Sequence, residues 1–391
     1  MKTIIRRTIS DILVKQSRLY PVVGITGPRQ SGKTTLVRTC FPEKQYVSLE
    51  DYDTREFAVS DPRGFLDRMP EGGIIDEIQR APALLSYIQT IVDEPSKSAR
   101  FILTGSNQFL LLKHVSQSLA GRISLLRLLP FTISELSGTE SGKLSANHFL
   151  YYGGYPRIYR ESLNPTDWCS NYIETYLEKD LKDIVNVLNL DLFRKFLSVI
   201  ASCCGQLLNL SSIGAVLGID QKTVKAWIAA LQQSQIVILL QPYFKNYRKR
   251  VVKTPKLYFY DTGLACALLK IKNPDVLADH VARGQLFENL VISELHKESF
   301  HHNLRTDFYF WRDHTGHEVD CLFEDNGAVV PVEIKSSQTI RDDFFDGLRY
   351  FSDIDRKAGK RSFVVYGGEE SQVRRRTINV LPWKETGRIL S

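Results

Sequence analysis

The sequence predicts an α/β protein of several domains, and three observations support that fold class. The 391 residues are too many for one hydrophobic core, because domains usually contain roughly 100–200 residues. Short apolar runs in the first third end in polar residues, as buried parallel strands do at the ligand-binding edge of a sheet. The last third follows a long amphipathic helix with three apolar strands, which predicts a second α/β unit.

Composition and charge exclude several classes of protein. Hydrophobic residues make up 43% of the chain and charged residues 24%, as in soluble globular proteins. No apolar run approaches the roughly 18–20 residues of a membrane helix, and the first residues alternate charge with apolar side chains, unlike a secretory signal. Six cysteines without a CxxC pair indicate reduced thiols, so we expect a cytoplasmic location and no membrane partner. The net charge of +7 permits an anionic partner without requiring one.

The first strand leads into a phosphate-binding motif. An apolar run at 22–26 precedes GPRQSGKT at 27–34, which matches GxxxxGK[ST], and a helical stretch follows. Glycines let the backbone wrap around phosphates, and the N–H groups of a helix N-terminus bind anions. We expect Lys33 to reach the β- and γ-phosphates of ATP and the Thr34 hydroxyl to ligate Mg²⁺. The predicted nucleotide-binding residues of this motif are Gly27, Pro28, Arg29, Gln30, Ser31, Gly32, Lys33, Thr34 and Thr35.

The second strand ends in two adjacent acids, Asp76 and Glu77. A carboxylate at the end of a buried parallel strand lies beside a nucleotide bound at that edge of the sheet. We expect Asp76 to hold Mg²⁺ through its water and Glu77 to polarise the attacking water. The alternative is a solvated helix start, where acids are also favoured.

The third strand, at 101–105, is followed by Ser106 and Asn107. Either side chain can hydrogen-bond the γ-phosphate or the attacking water, although a plain loop turn also explains them. Arg122 precedes a further strand at 123–128, where its guanidinium can reach the γ-phosphate of a neighbouring subunit. A surface salt bridge is an equally open interpretation of Arg122.

Four of these stretches, with a fifth farther along, resemble a family of AAA-type ATPases common in bacteria and archaea. In that family the ATPase module precedes a domain long described as of unknown function. The matching stretches are 27–34 (GPRQSGKT), 72–82 (GGIIDEIQRAP), 103–108 (LTGSNQ), 118–123 (SLAGRI) and 152–156 (YGGYP). The resemblance covers nearly the whole chain. It implies a RecA-like parallel sheet of five strands and a homo-oligomer with ATP near the subunit boundaries.

The middle of the chain predicts a winged helix-turn-helix after a packing helix at 171–190. Helical patterns at 211–217 and 221–235 flank a Gly-containing turn, and strands at 236–240 and 256–260 form the wing. The segment between these strands carries five basic residues and no acid, which suits contact with the nucleic-acid backbone. A protein-binding winged helix with a solvated loop is the alternative. The candidate DNA contacts are Lys222, Lys225, Lys245, Arg248, Lys249 and Arg250.

Acidic residues recur on the last helix and strands. Glu333 and Lys335 lie two residues apart on one strand, so their side chains share a face of the sheet. Asp320 lies on the preceding strand, where it can approach Glu333. Converging carboxylates repel unless a cation or proton intervenes, and hard oxygen ligands suit Mg²⁺ or Mn²⁺. We expect Asp320 and Glu333 to bind a metal that activates water, with Lys335 orienting that water.

The order of these elements resembles the PD-(D/E)xK nuclease superfamily: a helix comes first, then Asp320, then Glu333 and Lys335 as the ExK motif. Glu288 stands at the position of the acid on the helix. Val319 stands where the superfamily motif has proline, which has no chemical role. The resemblance implies a metal-dependent nuclease with Glu288, Asp320, Glu333 and Lys335 as its catalytic residues. A nuclease-like fold that now only binds is the alternative.

Together these observations predict four units. They are a RecA-like P-loop ATPase core at 1–136, a helical connector at 137–190, a winged helix-turn-helix at 191–262 and a nuclease-like domain at 263–391. The expected function is ATP-driven action on nucleic acid. One alternative is a nucleotide-controlled DNA- or protein-binding switch with an inert nuclease-like fold. A small-molecule kinase is less favoured, because the acids and polar residues suit attack by water.

Overall fold

The structure is a computed structural model of the chain. It describes residues 4–94, 99–106, 118–177, 189–243, 253–355, 361–374 and 376–391. Asn107, Lys245, Arg248, Lys249 and Arg250 lie outside the described residues.

A five-stranded sheet forms the first unit, and all of its strand pairs are parallel. The strand order is β2-β3-β4-β1-β5. The expectation of a five-stranded parallel sheet is therefore confirmed. Its strands are β1 (Val22–Thr26), β2 (Tyr46–Ser48), β3 (Ile74–Asp76), β4 (Phe101–Gly105) and β5 (Ile123–Arg127).

Helices cover both faces of this sheet, which explains why β1, β3 and β4 are buried along their whole length. One face packs Phe101 and Leu103 into one core, and the other packs Ile25 and Ile102 into a second core. The helices are α1 (Ser10–Leu19), α2 (Lys33–Cys40), α3 (Tyr52–Ser60), α4 (Pro62–Asp67) and α5 (Leu84–Asp93), with a 3-10 turn at Ile78–Arg80.

Short helices follow the sheet, and a three-helix group comes after them. The short helices are α6 (Ile133–Ser137), α7 (Ala146–Tyr152), α8 (Pro156–Glu161) and α9 (Pro165–Tyr172), with a 3-10 turn at Glu140–Lys143 and a π turn at Ile173–Leu177. The predicted helix at 171–190 is described only in part: its first residues belong to α9 and the π turn, and its residues 178–188 lie outside the described residues. The group comprises α10 (Leu190–Ser202), α11 (Leu210–Leu217) and α12 (Gln221–Gln233).

The turn between α11 and α12 has two local causes. Gly218 takes φ +70°, a left-handed conformation that ends α11 without steric cost. The Asp220 side chain then accepts the backbone N–H groups of Lys222 and Thr223, which caps α12.

A second sheet of eight strands runs in the order β12-β13-β11-β10-β9-β8-β6-β7. The β6-β7 hairpin joins it through parallel pairing of Gln241 with Tyr309 and Pro242 with Phe310. The predicted domain division after residue 262 therefore runs through one continuous sheet. Its strands are β6 (Val237–Pro242), β7 (Lys256–Phe259), β8 (Phe308–Arg312), β9 (Glu318–Asp325), β10 (Ala328–Lys335), β11 (Ser362–Tyr366), β12 (Gln372–Arg374) and β13 (Ile378–Pro382).

One long helix, α15 (Arg283–His301), lies between the two sheets and is buried along most of its length. It belongs to the largest core, which extends from Leu129 to Ile389. The remaining elements are α13 (Thr262–Leu268), α14 (Pro274–Ala278), α16 (Asp346–Ile354) and 3-10 turns at Asp342–Phe345 and Trp383–Ile389. Within the described ranges, no helix is long and apolar enough to cross a membrane.

Candidate functional site

The loop between β1 and α2 has the tight curvature that a phosphate cradle needs. A Cβ atom on Gly27 would lie 2.0 Å from the Leu128 carbonyl oxygen, so no larger residue fits there. Gly32 adopts φ +95°, which favours glycine. The loop ends at the N-terminus of α2, and the first N–H groups of a helix have no partner within the helix itself, so they can bind an anion.

Lys33 is buried in this loop although it carries a charge. Its Nζ atom donates hydrogen bonds of 2.9 Å to the carbonyl oxygens of Gly27 and Pro28. Carbonyl oxygens compensate an ammonium group less well than an anion does. The side chain is therefore folded over the position where phosphates approach.

Three hydroxyl groups converge on Asp76 at the end of β3. The Thr34 and Tyr46 hydroxyls both donate to its Oδ2 atom at 2.8 Å, and Thr104 donates to Oδ1. Burial of Tyr46 and its bond to Asp76 raise the pKa of the tyrosine to about 12. The sequence identified Thr34 and Asp76 but gave no role to Tyr46, which stands in no motif, or to Thr104, which lies within the stretch 103–108 (LTGSNQ).

Glu77 lies beside the predicted polar residue of the neighbouring strand. The Ser106 hydroxyl donates to Glu77 Oε2 at 3.0 Å, and the Gln79 amide donates to the same oxygen. Glu77 itself takes φ +58°, an uncommon conformation for a residue with a side chain. The parallel sheet thus brings Glu77 and Ser106 together, while the expected contact of Ser106 with a phosphate or the attacking water stays a prediction.

Lys33, Thr34, Asp76 and Glu77 face a cavity of about 740 Å³. The P-loop, Asp76 and Glu77 form one side, and the N-terminal segment and α8 form the other. Several arginines line it in addition to Lys33, and these basic residues outnumber the acids of the lining, Glu50, Asp76 and Glu77. They are Arg6, Arg7, Arg29, Arg157 and Arg160. Arg29 belongs to the predicted motif, whereas the other four had no signal in the sequence.

The oxygen atoms around Asp76 suit Mg²⁺, because a carboxylate and a hydroxyl are hard ligands. Thr34 Oγ1 and Asp76 Oδ2 are 2.8 Å apart, so both can contribute to one hydrated ion. Mg²⁺ bound there would neutralise phosphate charge.

Arg122 does not line this cavity. Its guanidinium pairs with Asp93 at 2.5 Å and donates to the Ala120 carbonyl oxygen at 3.1 Å. Within one chain it is a surface ion pair. A contact with the γ-phosphate of a neighbouring subunit stays a prediction.

A second polar group, the carboxylate cluster (Glu288, Glu318, Asp320 and Glu333), lies on the eight-stranded sheet and α15. Asp320 accepts the backbone N–H of Ile334 at 2.7 Å, so it reaches the strand that carries Glu333 and Lys335. Lys335 Nζ lies 2.6 Å from Glu333 Oε1. The structure therefore brings Asp320, Glu333 and Lys335 together.

Lys256 supplies a charge that the sequence analysis missed. It pairs with Glu318, and its Nζ atom lies 2.9 Å from Glu288 Oε1. Burial opposes its charge, but Glu288, Asp320 and Glu318 together raise the pKa of Lys256. Lys256 lies on β7, far in sequence from Glu333 and Lys335. The sequence pattern predicted its strand to be part of the wing and gave no sign of a role in this cluster.

Part of the cluster remains uncompensated. Burial and the charges of Glu333 and Glu288 raise the pKa of Asp320 well above its ordinary value. Burial raises the pKa of Glu333 to about 7 against the opposing effect of Lys335. The Oε2 atom of Glu333 is buried without a hydrogen-bond partner. A proton or a cation at this oxygen would relieve the repulsion.

The fit to a metal is partial. In the described part of the chain, no group of three or more His, Cys, Asp or Glu side chains is arranged to hold a metal ion. Asp320 and Glu333 offer two carboxylates to a metal. Glu288 would be the third, but it is already paired with Lys256.

The predicted nucleic-acid contacts can be located only in part. Lys222 and Lys225 are exposed on the first turns of α12. The other four candidates, Lys245, Arg248, Lys249 and Arg250, fall outside the described residues.

Three parts of the chain match known domain families. Residues 19–137 match an AAA domain. Residues 144–275 match a domain of unknown function, DUF8612, and residues 283–386 match another, DUF4143.

Two uncharacterized proteins are similar to this chain across all three of these parts. The chain is 32% identical over 339 residues to the uncharacterized protein Rv2008c of Mycobacterium tuberculosis, which is 85% of this chain and 74% of that protein. It is 21% identical over 347 residues to the uncharacterized protein MJ1544 of Methanocaldococcus jannaschii, covering 81% and 75%.

Among solved structures, the Walker-type ATPase paby2304 of Pyrococcus abyssi is similar to 68% of this chain over 96% of its own length. The sequence identity is 17% and the TM-score is 0.45.

Proposed function

This chain belongs to the same family as the uncharacterized mycobacterial protein and carries an AAA domain, and from that premise we propose that it binds and hydrolyses ATP. One observation carries the proposal. Thr34, from the P-loop, and Asp76, from β3, share a hydrogen bond at the wall of a cavity lined by Lys33 and arginines. This arrangement combines a cation-holding pair with a phosphate cradle.

Each residue has a defined role in this proposal. Lys33 leaves the Gly27 and Pro28 carbonyls for the β- and γ-phosphates, because an anion is the better partner for its charge. Thr34 and Asp76 hold Mg²⁺. Glu77 accepts a hydrogen bond from the attacking water, and Ser106 keeps that carboxylate oriented.

The contacts of Glu77 also bear on the kinase alternative. Its carboxylate is fixed by neighbours from its own loop and from β4, beside the cavity. A base held this way suits a small nucleophile such as water. Phosphate release without a phosphorylated small molecule would separate an ATPase from a kinase.

ATP binding tests the phosphate cradle. We expect Lys33→Ala to weaken ATP binding at least tenfold, about the effect of one charged hydrogen bond, in a calorimetric titration with Mg²⁺. Glu71→Gln is the matched control, since Glu71 is exposed and does not line the cavity. Equal affinity in wild-type and Lys33→Ala protein would contradict the proposed site.

We also propose that the protein acts on nucleic acid. The exposed Lys222 and Lys225 stand at the capped N-terminus of α12, where side chains and backbone N–H groups can meet phosphates. In the sequence, a second group of basic residues follows α12, between the strands β6 and β7. A protein partner for this group of helices is the alternative.

Phosphodiester cleavage at the carboxylate cluster is a second candidate activity. The unpartnered Glu333 Oε2 beside Asp320 favours it, because a divalent metal would satisfy both acids. The pairing of Lys256 with Glu288 and Glu318 favours the inert alternative, since it replaces part of the positive charge that a metal would bring.

A cleavage assay with Mg²⁺ or Mn²⁺ on single-strand, duplex and branched nucleic acid distinguishes an active nuclease from the inert alternative. Asp320→Ala should abolish cutting and leave ATP hydrolysis nearly intact, because the sites lie on different sheets. Glu369→Gln, at an exposed position outside the cluster, is the control. If contaminant-free wild-type protein cuts none of these substrates, the binding switch replaces the nuclease.

A further inference from the structure

Arg7 is a buried arginine in the segment before the residues that match the AAA domain. Its guanidinium lies over the Phe131 ring, 4.7 Å from the ring centroid, and donates three hydrogen bonds. Nη1 donates to the Ser31 carbonyl oxygen at 2.9 Å, Nη2 donates to the Leu129 carbonyl oxygen at 2.6 Å, and Nε donates to Glu135 Oε1 at 3.0 Å. One planar group therefore joins the P-loop, the end of β5 and α6.

The contact with Ser31 lies inside the phosphate-binding motif. Ser31 precedes Gly32, and a Cβ atom on Gly32 would lie 3.8 Å from Arg7 Nη1, so the guanidinium contacts this bend of the loop directly. Arg7 also lines the nucleotide cavity. A P-loop binds phosphate through N–H groups, which requires its carbonyl groups to point away.

Lys33 and Arg7 hold the loop in different ways. Lys33 is bonded to the Gly27 and Pro28 carbonyls and must leave them to reach a phosphate. The bond from Arg7 to the Ser31 carbonyl oxygen does not compete with a phosphate for Lys33. It can therefore persist when the nucleotide is bound.

The partners of Arg7 are themselves fixed. Glu135 also accepts the backbone N–H groups of Thr8, on Oε1 at 2.8 Å, and of Thr132, on Oε2 at 3.0 Å. Burial would raise the pKa of Glu135, but the charges and hydrogen bonds around it, with Arg7 foremost, lower it below its ordinary value. The carboxylate therefore stays ionised and holds the guanidinium in one orientation.

The helix α15 supports this arrangement from the other side. His301 Nε2 accepts the backbone N–H of Leu129 at 3.1 Å, and Nδ1 lies 3.6 Å from Glu135 Oε1. Burial lowers the pKa of His301 to about 3, so the ring is neutral near pH 7 and carries its proton on Nδ1, toward Glu135. The C-terminal part of the chain thus helps to position Arg7.

We propose that Arg7 is a positioning residue of the nucleotide site, and that its guanidinium fixes the Ser31 carbonyl so that the P-loop N–H groups face the phosphates. This inference rests on the proposed ATP binding. The N–H groups of a P-loop already hold the phosphates of the bound nucleotide before the chemical step. Losing Arg7 therefore weakens nucleotide binding more than it slows the chemical step.

The test compares Arg7→Ala with wild-type protein in ATP binding and steady-state hydrolysis. We expect Kd and KM for ATP to rise about tenfold while kcat changes by less than about threefold. Guanidinium chloride at millimolar, non-denaturing concentration should restore much of the affinity, because the vacated space opens to the cavity. Arg100→Ala is the control: Arg100 tethers the Ser17 and Tyr20 carbonyls and does not line the cavity.

Arg7→Lys keeps the proposal testable if Arg7→Ala does not fold. A lysine keeps the charge but cannot bridge three acceptors, so Kd should still rise, by a smaller factor. Unchanged Kd and KM in a folded Arg7 variant would overturn the proposal, as would a loss confined to kcat or a loss of affinity that guanidinium does not relieve in Arg7→Ala. Wild-type protein that binds no ATP would instead refute the proposed function, and this inference with it.

Discussion

At the scale of single residues, Asp76 connects the P-loop helix with two strands of the first sheet. Its two carboxylate oxygens accept hydroxyl groups from three elements: α2, β2 and β4. Mg²⁺ would bind the hydroxyl oxygen of Thr34. The hydroxyls of Tyr46 and Thr104 would then remain to hold the Asp76 carboxylate in place. We therefore propose that both position this carboxylate for the ion.

Tyr46→Phe tests this arrangement. We expect the concentration of Mg²⁺ needed for half-maximal ATP hydrolysis to rise several-fold, because one hydrogen bond worth about 1 kcal/mol no longer orients Asp76. Activity at saturating Mg²⁺ should approach that of wild-type protein. Tyr52→Phe, an exposed tyrosine on α3, is the control. A Mg²⁺ dependence identical to that of wild-type protein would show that Tyr46 has no part in positioning.

Glu333 gives a prediction about pH and stability. The folded protein retains this proton up to about pH 7, whereas an ordinary glutamate releases it near 4.5. The folded state binds more protons between these values, so its stability falls as pH rises through that window. The loss is at most about 3 kcal/mol. Denaturant unfolding at pH 5 and pH 8 should show a smaller pH effect in Glu333→Gln.

The opposite result has a clear meaning. If wild-type protein and Glu333→Gln lose the same stability between pH 5 and pH 8, then Glu333 is not the group that titrates. Added Mn²⁺ should stabilise wild-type protein more than the variant at pH 8 if the ion binds there.

At the level of elements, α12 and the hairpin carry the proposed contact with nucleic acid. Replacing Lys222 and Lys225 with glutamine should weaken binding to DNA of any sequence and flatten its dependence on salt, because fewer counterions are released. Replacing Arg248, Lys249 and Arg250 should do the same. Fluorescence anisotropy at several salt concentrations measures both effects.

A charge-matched pair controls for net charge. Lys15 and Lys143 are exposed residues on other elements, and their replacement removes the same two charges. Equal weakening by both pairs would indicate a general electrostatic effect. Unchanged affinity of the Lys222 and Lys225 variant would place the DNA-binding surface elsewhere or favour a protein partner.

The elements also show what the sequence can and cannot predict. The P-loop, the acids after β3 and the polar residue after β4 follow from local patterns, because a parallel sheet aligns its strand ends. Lys256 was not predicted to join Glu288, because their contact depends on how a hairpin meets a helix. Glu294 and His301 lie on the same face of α15 as Leu290, so helical spacing accounts for their burial. Their hydrogen bonds to the backbone at 133 and 129 depend on how the helix packs, which the sequence does not show.

For the whole molecule, α15 is the element that connects the parts. Glu288 near its start pairs with Lys256, and His301 at its end contacts the segment after β5. About 20 Å of helix separates these residues at 1.5 Å per residue. The resemblance to an AAA family predicted the first sheet, whereas continuity of the second sheet with the hairpin had no signal in the sequence.

Arg122 gives a prediction about assembly. If it reaches a neighbouring subunit, Arg122→Ala should reduce ATP turnover in the assembled protein with little change in ATP affinity. Mixing that variant with Glu77→Gln subunits should restore some turnover. It should do so only at subunit boundaries that combine an intact Glu77 from one subunit with an intact Arg122 from the other. Unchanged turnover at saturating ATP would leave Arg122 as the partner of Asp93 seen within one chain.

The central claim is that this protein hydrolyses ATP with Glu77 as the residue that activates water. The most direct measurement is phosphate release in a single turnover by wild-type protein and Glu77→Gln, with ATP affinity measured in parallel. We predict unchanged affinity and a loss of rate of about 100-fold or more in Glu77→Gln. Hydrolysis by Glu77→Gln at the wild-type rate would contradict the claim.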